Sequence, residues 1–250
     1  MSAAARRALA LLDLTDLSDT CTEAAIAALC RRARTPHGPV AAICIWPRFV
    51  SQAARLLARS GIKLATVVNF PAGGDHVERA VDDAHGALRD GADEIDLVMP
   101  WHAFLGGDEA SAREMIEGVA GEAGPERLLK VILETGALGS PAAIASASRL
   151  AIECGANFIK TSTGKTAVSA TPEAAGIMLE AIKASGRPVG FKAAGGLRTL
   201  AEAQVYLDLA DAIMGPAWAT PQTFRFGASS LLDVLLTAID GGEAKHADGY

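Results

Sequence analysis

The chain has 250 residues, 50% hydrophobic and 21% charged, with mean hydropathy +0.24, which suits a soluble globular fold with a large core. The formal net charge is −6 and no run of five like charges occurs, which argues against a nucleic-acid or anionic-membrane surface. Cys21, Cys30, Cys44 and Cys154 show no CxxC spacing, so reduced thiols of a cytoplasmic protein are expected, and no apolar run reaches the roughly 18 residues of a membrane span.

Arg6-Arg7 followed by ALALL imitates a signal peptide, but Asp13 cuts that run short and no small-residue cleavage site follows. From there short apolar runs alternate with helical pattern. Strands are predicted at Leu11–Thr15, Ala41–Trp46, Lys63–Asn69, Glu94–Met99, Leu128–Glu134, Phe158–Ser162, Val189–Ala194 and Phe224–Ala228. Their near-continuous Val, Ile, Leu and Ala content marks strands buried on both faces. Helices are predicted at Thr22–Ala33, Phe49–Ser60, Val77–Arg89, Ser111–Gly121, Pro141–Cys154, Pro172–Ala184 and Thr199–Leu209. Ser140-Pro141 and Thr171-Pro172 read as a cap followed by proline at the first helical position. Gly61, Gly91, Gly155 and Gly186 each sit just past a helix end.

Eight strands recurring roughly every 30 residues, each leading to a helix, describe a single α/β domain, a (β/α)8 barrel. A doubly wound open sheet fits less well, because its usual glycine-rich turn is missing after Asp13-Leu14-Thr15. The barrel is assigned to residues 1–240 and a polar, glycine-rich tail to residues 241–250.

In such a barrel the active site lies at the C-terminal ends of the strands. Four strands carry conspicuous ionisable residues there: Asp13 in the first, Asp96 in the fourth, Lys160 in the sixth and Lys192 in the seventh. Cys44 lies in the second. Strand counting puts Cys44, Asp96 and Lys160 in one interior layer and Lys192 in a neighbouring layer. A lysine in an apolar strand is either a structural ion pair or a catalytic amine. Two lysines together in a dry interior are expected to lower each other's pKa, and a neutral amine attacks carbonyls to form an imine. Asp96 then either passes protons or simply neutralises a lysine.

The turns after strands seven and eight are the usual phosphate site of these barrels. Here they hold Gly195-Gly196 and Gly227-Ala228-Ser229-Ser230. Their glycines either bring backbone N–H groups to phosphate oxygens, with a helix N-terminus behind them, or only make tight turns. The turn Ser162-Thr163-Gly164-Lys165 offers a further hydroxyl and N–H. No HxxxH pattern or GxSxG elbow appears, so no metal or other cofactor is expected.

The segments LLDLTDLSD, AAICIWPRF, ATVVNFPAGG, GADEIDLVMP, KVILETG, FIKTSTGK, GFKAAGGLRT and RFGASSLL resemble the deoxyribose-phosphate aldolases, class I Schiff-base aldolases on a (β/α)8 barrel. The resemblance runs over nearly the whole chain. It implies reversible cleavage of 2-deoxy-D-ribose 5-phosphate to glyceraldehyde 3-phosphate and acetaldehyde. It implies Lys160 as the imine-forming amine, Lys192 as the lysine that lowers its pKa, Asp96 as the proton relay, and Asp13 as a residue that orients substrate hydroxyls. The full substrate-contact set is Asp13, Thr15, Cys44, Thr163, Gly164, Lys165, Gly195, Gly196, Arg198, Gly227, Ser229 and Ser230. The partners are small phosphosugars and aldehydes, and a homodimer is allowed. Ala193 replaces a proline common in the family, and Trp46 and Trp101 replace tyrosines. Two other readings are a phosphosugar isomerase or lyase that uses no imine, and a non-catalytic phosphosugar-binding barrel. Tyr250 is a candidate to reach over the barrel mouth and assist proton transfer, the alternative being a disordered end.

Overall fold

In the computed structural model, residues 2–242 are described; most of the expected tail, Tyr250 included, lies outside them. Eight parallel strands close into a barrel: β1 Leu12–Asp16, β2 Ala42–Ile45, β3 Lys63–Val68, β4 Glu94–Val98, β5 Leu128–Ile132, β6 Phe158–Lys160, β7 Gly190–Ala194 and β8 Phe224–Ala228. Each strand pairs with its sequence neighbours, and β1 closes the ring on β8 through Leu12–Phe226, Asp13–Gly227 and Leu14–Ala228. All eight predicted strands are found, with ends shifted by at most two residues. A small antiparallel ladder, Arg34–Thr35 with Gly38–Pro39, lies outside the barrel.

The seven predicted helices are present as Glu23–Arg32, Val50–Leu57, Val77–Arg89, Glu109–Ala123, Pro141–Glu153, Pro172–Ser185 and Leu200–Met214. Side-chain caps set several starts. The Ser140 hydroxyl accepts from Ala143 N–H, and Thr171 from Ala174 N–H, each with proline in the first turn. Thr199 and Glu202 form a reciprocal capping box. Four helices were not predicted: Ser2–Ala10, Trp101–Leu105, Thr135–Leu138 and Leu231–Ile239. The first covers the ALA segment that imitated a signal peptide. It buries Ala5, Ala8 and Leu9, and Arg7 forks onto Asp211 with two bonds of 2.6 Å.

Strand periodicity sorts the side chains. Leu12, Leu14, Ile95, Leu97, Leu129, Val131, Ile159, Phe191, Phe224 and Phe226 belong to the main apolar core with the helices. The alternate positions face the barrel axis, as a period of two requires. Those positions hold Asp13, Glu94, Asp96, Lys130, Lys160, Lys192 and Arg225, all buried. The fold therefore keeps its apolar core outside the sheet and an ionic core within it.

Gly190 shows how tightly the inner layer is packed. A Cβ there would fall on the ring of Phe158, over which Arg225 also lies at 5.6 Å from the centroid. Gly190→Ala is expected to lower stability by about 1–3 kcal/mol through overpacking. Urea unfolding checks this, and an unchanged midpoint would count against such close packing.

Candidate active site

At the C-terminal end of the barrel a cleft of about 730 Å³ is lined by Lys160 and by residues from the turns after β1, β6, β7 and β8. Of the seven ionic residues that face the barrel axis, only Lys160 lines it. A cavity of about 780 Å³ lies on the outside, between the helices Pro141–Glu153 and Pro172–Ser185. It contains none of the ionic core, so chemistry is sought at the barrel mouth.

Asp96 is the hub. Its Oδ2 accepts from Lys160 Nζ and Lys192 Nζ, both at 2.8 Å, and its Oδ1 accepts from Lys130 Nζ at 2.8 Å. Cys44 Sγ points to Oδ2 at 3.9 Å. Lys192 also donates to Asp13 at 2.5 Å. Arg225 donates to the other oxygen of Asp13 at 2.6 Å and to Glu94 at 3.0 Å. Lys130 returns to Glu94 at 2.6 Å. Four cations thus share three carboxylates. The expected layer offset does not part Lys160 from Lys192: they are register partners, and their amines meet at one oxygen.

Burial opposes the charges of Asp13, Asp96, Lys130, Lys192 and Arg225, yet their partners outweigh it. The Lys192 pKa is raised, because Asp13 and Asp96 overcome desolvation. The Lys130 pKa is raised for the same reason, by Asp96 and Glu94. For Lys192 this corrects the expected lowering: the carboxylates around it outweigh desolvation. Asp96 lies well below the ordinary carboxylate range, since Lys130, Lys160 and Lys192 outweigh desolvation. Burial chiefly pushes the Cys44 thiol up to about 11.

Asp13 is held at about 2, desolvation being outweighed by Lys192 and Arg225. A depressed carboxyl stabilises the fold above its unfolded pKa and loses that contribution as pH falls through the folded value. The stability gap between wild type and Asp13→Asn should therefore be constant above about pH 4 and shrink as pH falls toward 2. Urea unfolding at a series of pH values measures it, and a gap that widens on acidification would refute the assignment.

The remaining sequence candidates divide. Thr15, Thr163, Gly164, Lys165, Gly195, Gly196, Arg198, Gly227, Ser229 and Ser230 line the cleft. Gly195 and Gly196 have φ of 85° and 82°, which only glycine adopts readily. Asp13 and Cys44 are fully buried behind Lys192 and Asp96 and do not line it. Thr163 gives its hydroxyl proton to Glu134 at 2.6 Å and accepts from Lys165 N–H at 3.0 Å. Those two donors are thus engaged within the protein, while the Ser162 hydroxyl of the same turn makes no hydrogen bond among the described residues.

Sequence reasoning passed over Lys130, Glu94, Arg225 and Glu134. The first three carry the signal that exposed Lys160: an ionisable residue in the middle of an apolar strand, as in LLKVI and FRFGA. Glu94 lies two residues before Asp96 and so on the same face. Among the described residues no group of three metal-ligating side chains occurs, and no helix is long and apolar enough to cross a membrane.

Comparison with known proteins agrees with this geometry. The model of the DeoC/LacD family of aldolases matches residues 7–237. A deoxyribose-phosphate aldolase of Agrobacterium fabrum is 55% identical over 249 residues, covering 99% of this chain and 96% of that protein. An apo crystal structure of a candidate deoxyribose-phosphate aldolase from Toxoplasma gondii ME49 superposes with TM-score 0.88 at 28% identity, covering 98% of both chains. One from Coccidioides immitis gives TM-score 0.83 at 27% identity, over 94% of this chain and 86% of that one. The chain belongs to the DeoC/LacD family of aldolases.

Proposed function

We propose that this aldolase cleaves 2-deoxy-D-ribose 5-phosphate reversibly through an imine on Lys160. The observation that carries the reading is that Lys160 alone of the ionic core opens into the cleft, while its amine shares an Asp96 oxygen with Lys192. The 55% identical relative acts, by its name, on the same sugar phosphate.

The ionic core accounts for the steps. With four cations against three carboxylates, loss of one proton leaves the core neutral, and Lys160 is the amine that meets the cleft. Neutral Lys160 attacks C1 of the open-chain sugar to give a carbinolamine, and loss of water gives the iminium. The C3 hydroxyl loses its proton and the C2–C3 bond breaks. Its electron pair passes into an enamine on Lys160, and C3 becomes the aldehyde of glyceraldehyde 3-phosphate. Protonation at C2 and hydrolysis release acetaldehyde and restore the amine. Asp96 and Lys192, joined at 2.8 Å, supply and recover these protons, directly or through water. Asp13, Arg225, Glu94 and Lys130 hold that pair in place and in its charged form.

The glycine turns after β7 and β8 and the start of the helix Leu231–Ile239 receive the 5-phosphate. Arg32, which sequence reasoning did not mark, lines the same wall and is forked onto Asp233 at 2.8 Å. Holding the phosphate fixes C1 against the amine, a positioning effect that contributes several kcal/mol to rate. The test is direct. Purified protein given the sugar phosphate should release acetaldehyde and glyceraldehyde 3-phosphate, whereas a rearranged sugar without acetaldehyde would identify an isomerase instead.

A further inference from the structure

We propose that Glu134 is a positioning residue for the phosphate end of the substrate, holding the turn after β6 in the shape of a cleft wall. The inference deepens the aldolase reading above and takes its substrate from it.

Glu134 follows β5, is fully buried and does not line the cleft. A carboxyl group has the wrong sign to touch a phosphate, so any effect on phosphate binding must pass through other residues. Its donors are two residues of the β6 turn. Thr163 N–H reaches both carboxyl oxygens at 3.3 Å, the Thr163 hydroxyl donates to Oε2 at 2.6 Å, and the Thr166 hydroxyl lies between two acceptors, Oε1 at 3.2 Å and the Val168 carbonyl oxygen at 3.0 Å. Thr163 Oγ1 then accepts from Lys165 N–H at 3.0 Å. One buried carboxyl thus organises Thr163, Lys165 and Thr166, of which all three line the cleft. The backbone of Glu134 is left-handed, with φ 58° and ψ 58°, an unfavourable conformation for a residue with a side chain. The surrounding structure must over-determine such a residue for it to persist.

Two close approaches confine the same segment. A Cβ on Gly136 would strike the backbone of Val168. A Cβ on Gly195 would come within 2.5 Å of Ser169 Oγ and 3.1 Å of Gly164 Cα. The β6 turn is therefore wedged between the β5 and β7 turns, with Glu134 as its polar anchor. Lys160 lies upstream on the same strand, but its amine is held by Asp96. Loosening the turn should leave imine chemistry in place while spoiling a preorganised anion site, and preorganisation is what such a site loses first.

The experiment compares wild type, Glu134→Ala and Glu134→Gln. Cleavage is measured with 2-deoxy-D-ribose 5-phosphate and with unphosphorylated 2-deoxy-D-ribose, and inorganic phosphate is titrated calorimetrically. Glu134→Ala should raise KM for the phosphorylated sugar and weaken phosphate binding by about tenfold or more, with unphosphorylated cleavage kept within about twofold. Glu134→Gln, which keeps one acceptor oxygen for Thr163, should recover most of the loss. Glu134→Asp, which keeps the charge but withdraws the carboxyl from Thr163, should show the same selective loss, which keeps the test decisive if Glu134→Ala does not fold. An equal fall with both sugars, or unchanged phosphate binding, would overturn the proposal. Should wild type cleave neither sugar, the aldolase reading fails while the phosphate titration still decides the role of Glu134.

Discussion

Lys160→Arg is expected to lower kcat by about four orders of magnitude or more, the scale of losing a covalent nucleophile. Arginine keeps a positive charge against Asp96 but does not deprotonate in a protein and forms no imine. The fold should persist, because the partner carboxylate at 2.8 Å keeps a cation. Borohydride added with acetaldehyde should leave one ethyl group on Lys160 of the wild type and none on the variant, as mass spectrometry of the peptide containing FIKTSTGK would show. Turnover that survives the substitution would move the imine to another amine. Lys192 and Lys130 are poor substitutes, since both are fully buried and carry raised pKa values.

Asp96→Asn should have the second large effect, and on two observables. The carboxylate holds three ammonium groups at 2.8 Å each. Its removal leaves those buried charges short of a counterion, at an expected cost of about 3–5 kcal/mol in stability. Loss of a positioned proton carrier should also lower kcat by about 10²- to 10⁴-fold. Urea unfolding and turnover, measured where the variant is folded, separate the two. The isosteric change preserves packing, so an unchanged unfolding free energy would contradict the hub assignment. Normal turnover with reduced stability would leave Asp96 a purely structural anchor. Lys160 and Lys192 would then exchange protons through water alone.

The ease of reading the site from sequence varied with the kind of signal. Lys160, Lys192, Asp96 and Asp13 stood out because an ionisable residue in a continuous apolar run costs several kcal/mol unless paired. Lys130 and Arg225 carry the same signal, in LLKVI and FRFGA. They are the counter-charges and neighbours that buried ionic groups demand, and a linear sequence does not show which strand supplies them. The raised pKa of Lys192 has the same origin: the barrel brings together four cations and three carboxylates, not two lysines and one carboxylate. Glu134 had no local mark at all. Its function depends on a left-handed backbone and on Thr163, 29 residues away.

The amino-acid sequence alone determined the eight-strand alternation, because strands buried on both faces write continuous apolar runs that punctuation by Gly, Pro and capping residues separates. It also placed Lys160, Lys192 and the glycine turns at the same barrel end, since strand order in a closed parallel barrel follows chain order. Tertiary structure decided what no linear reading could. It set which amine opens into the cleft, which carboxylate each cation meets, and which way the Thr163 proton points. These depend on register and side-chain reach across strands far apart in the chain, where a difference of about an ångström separates a hydrogen bond from no bond.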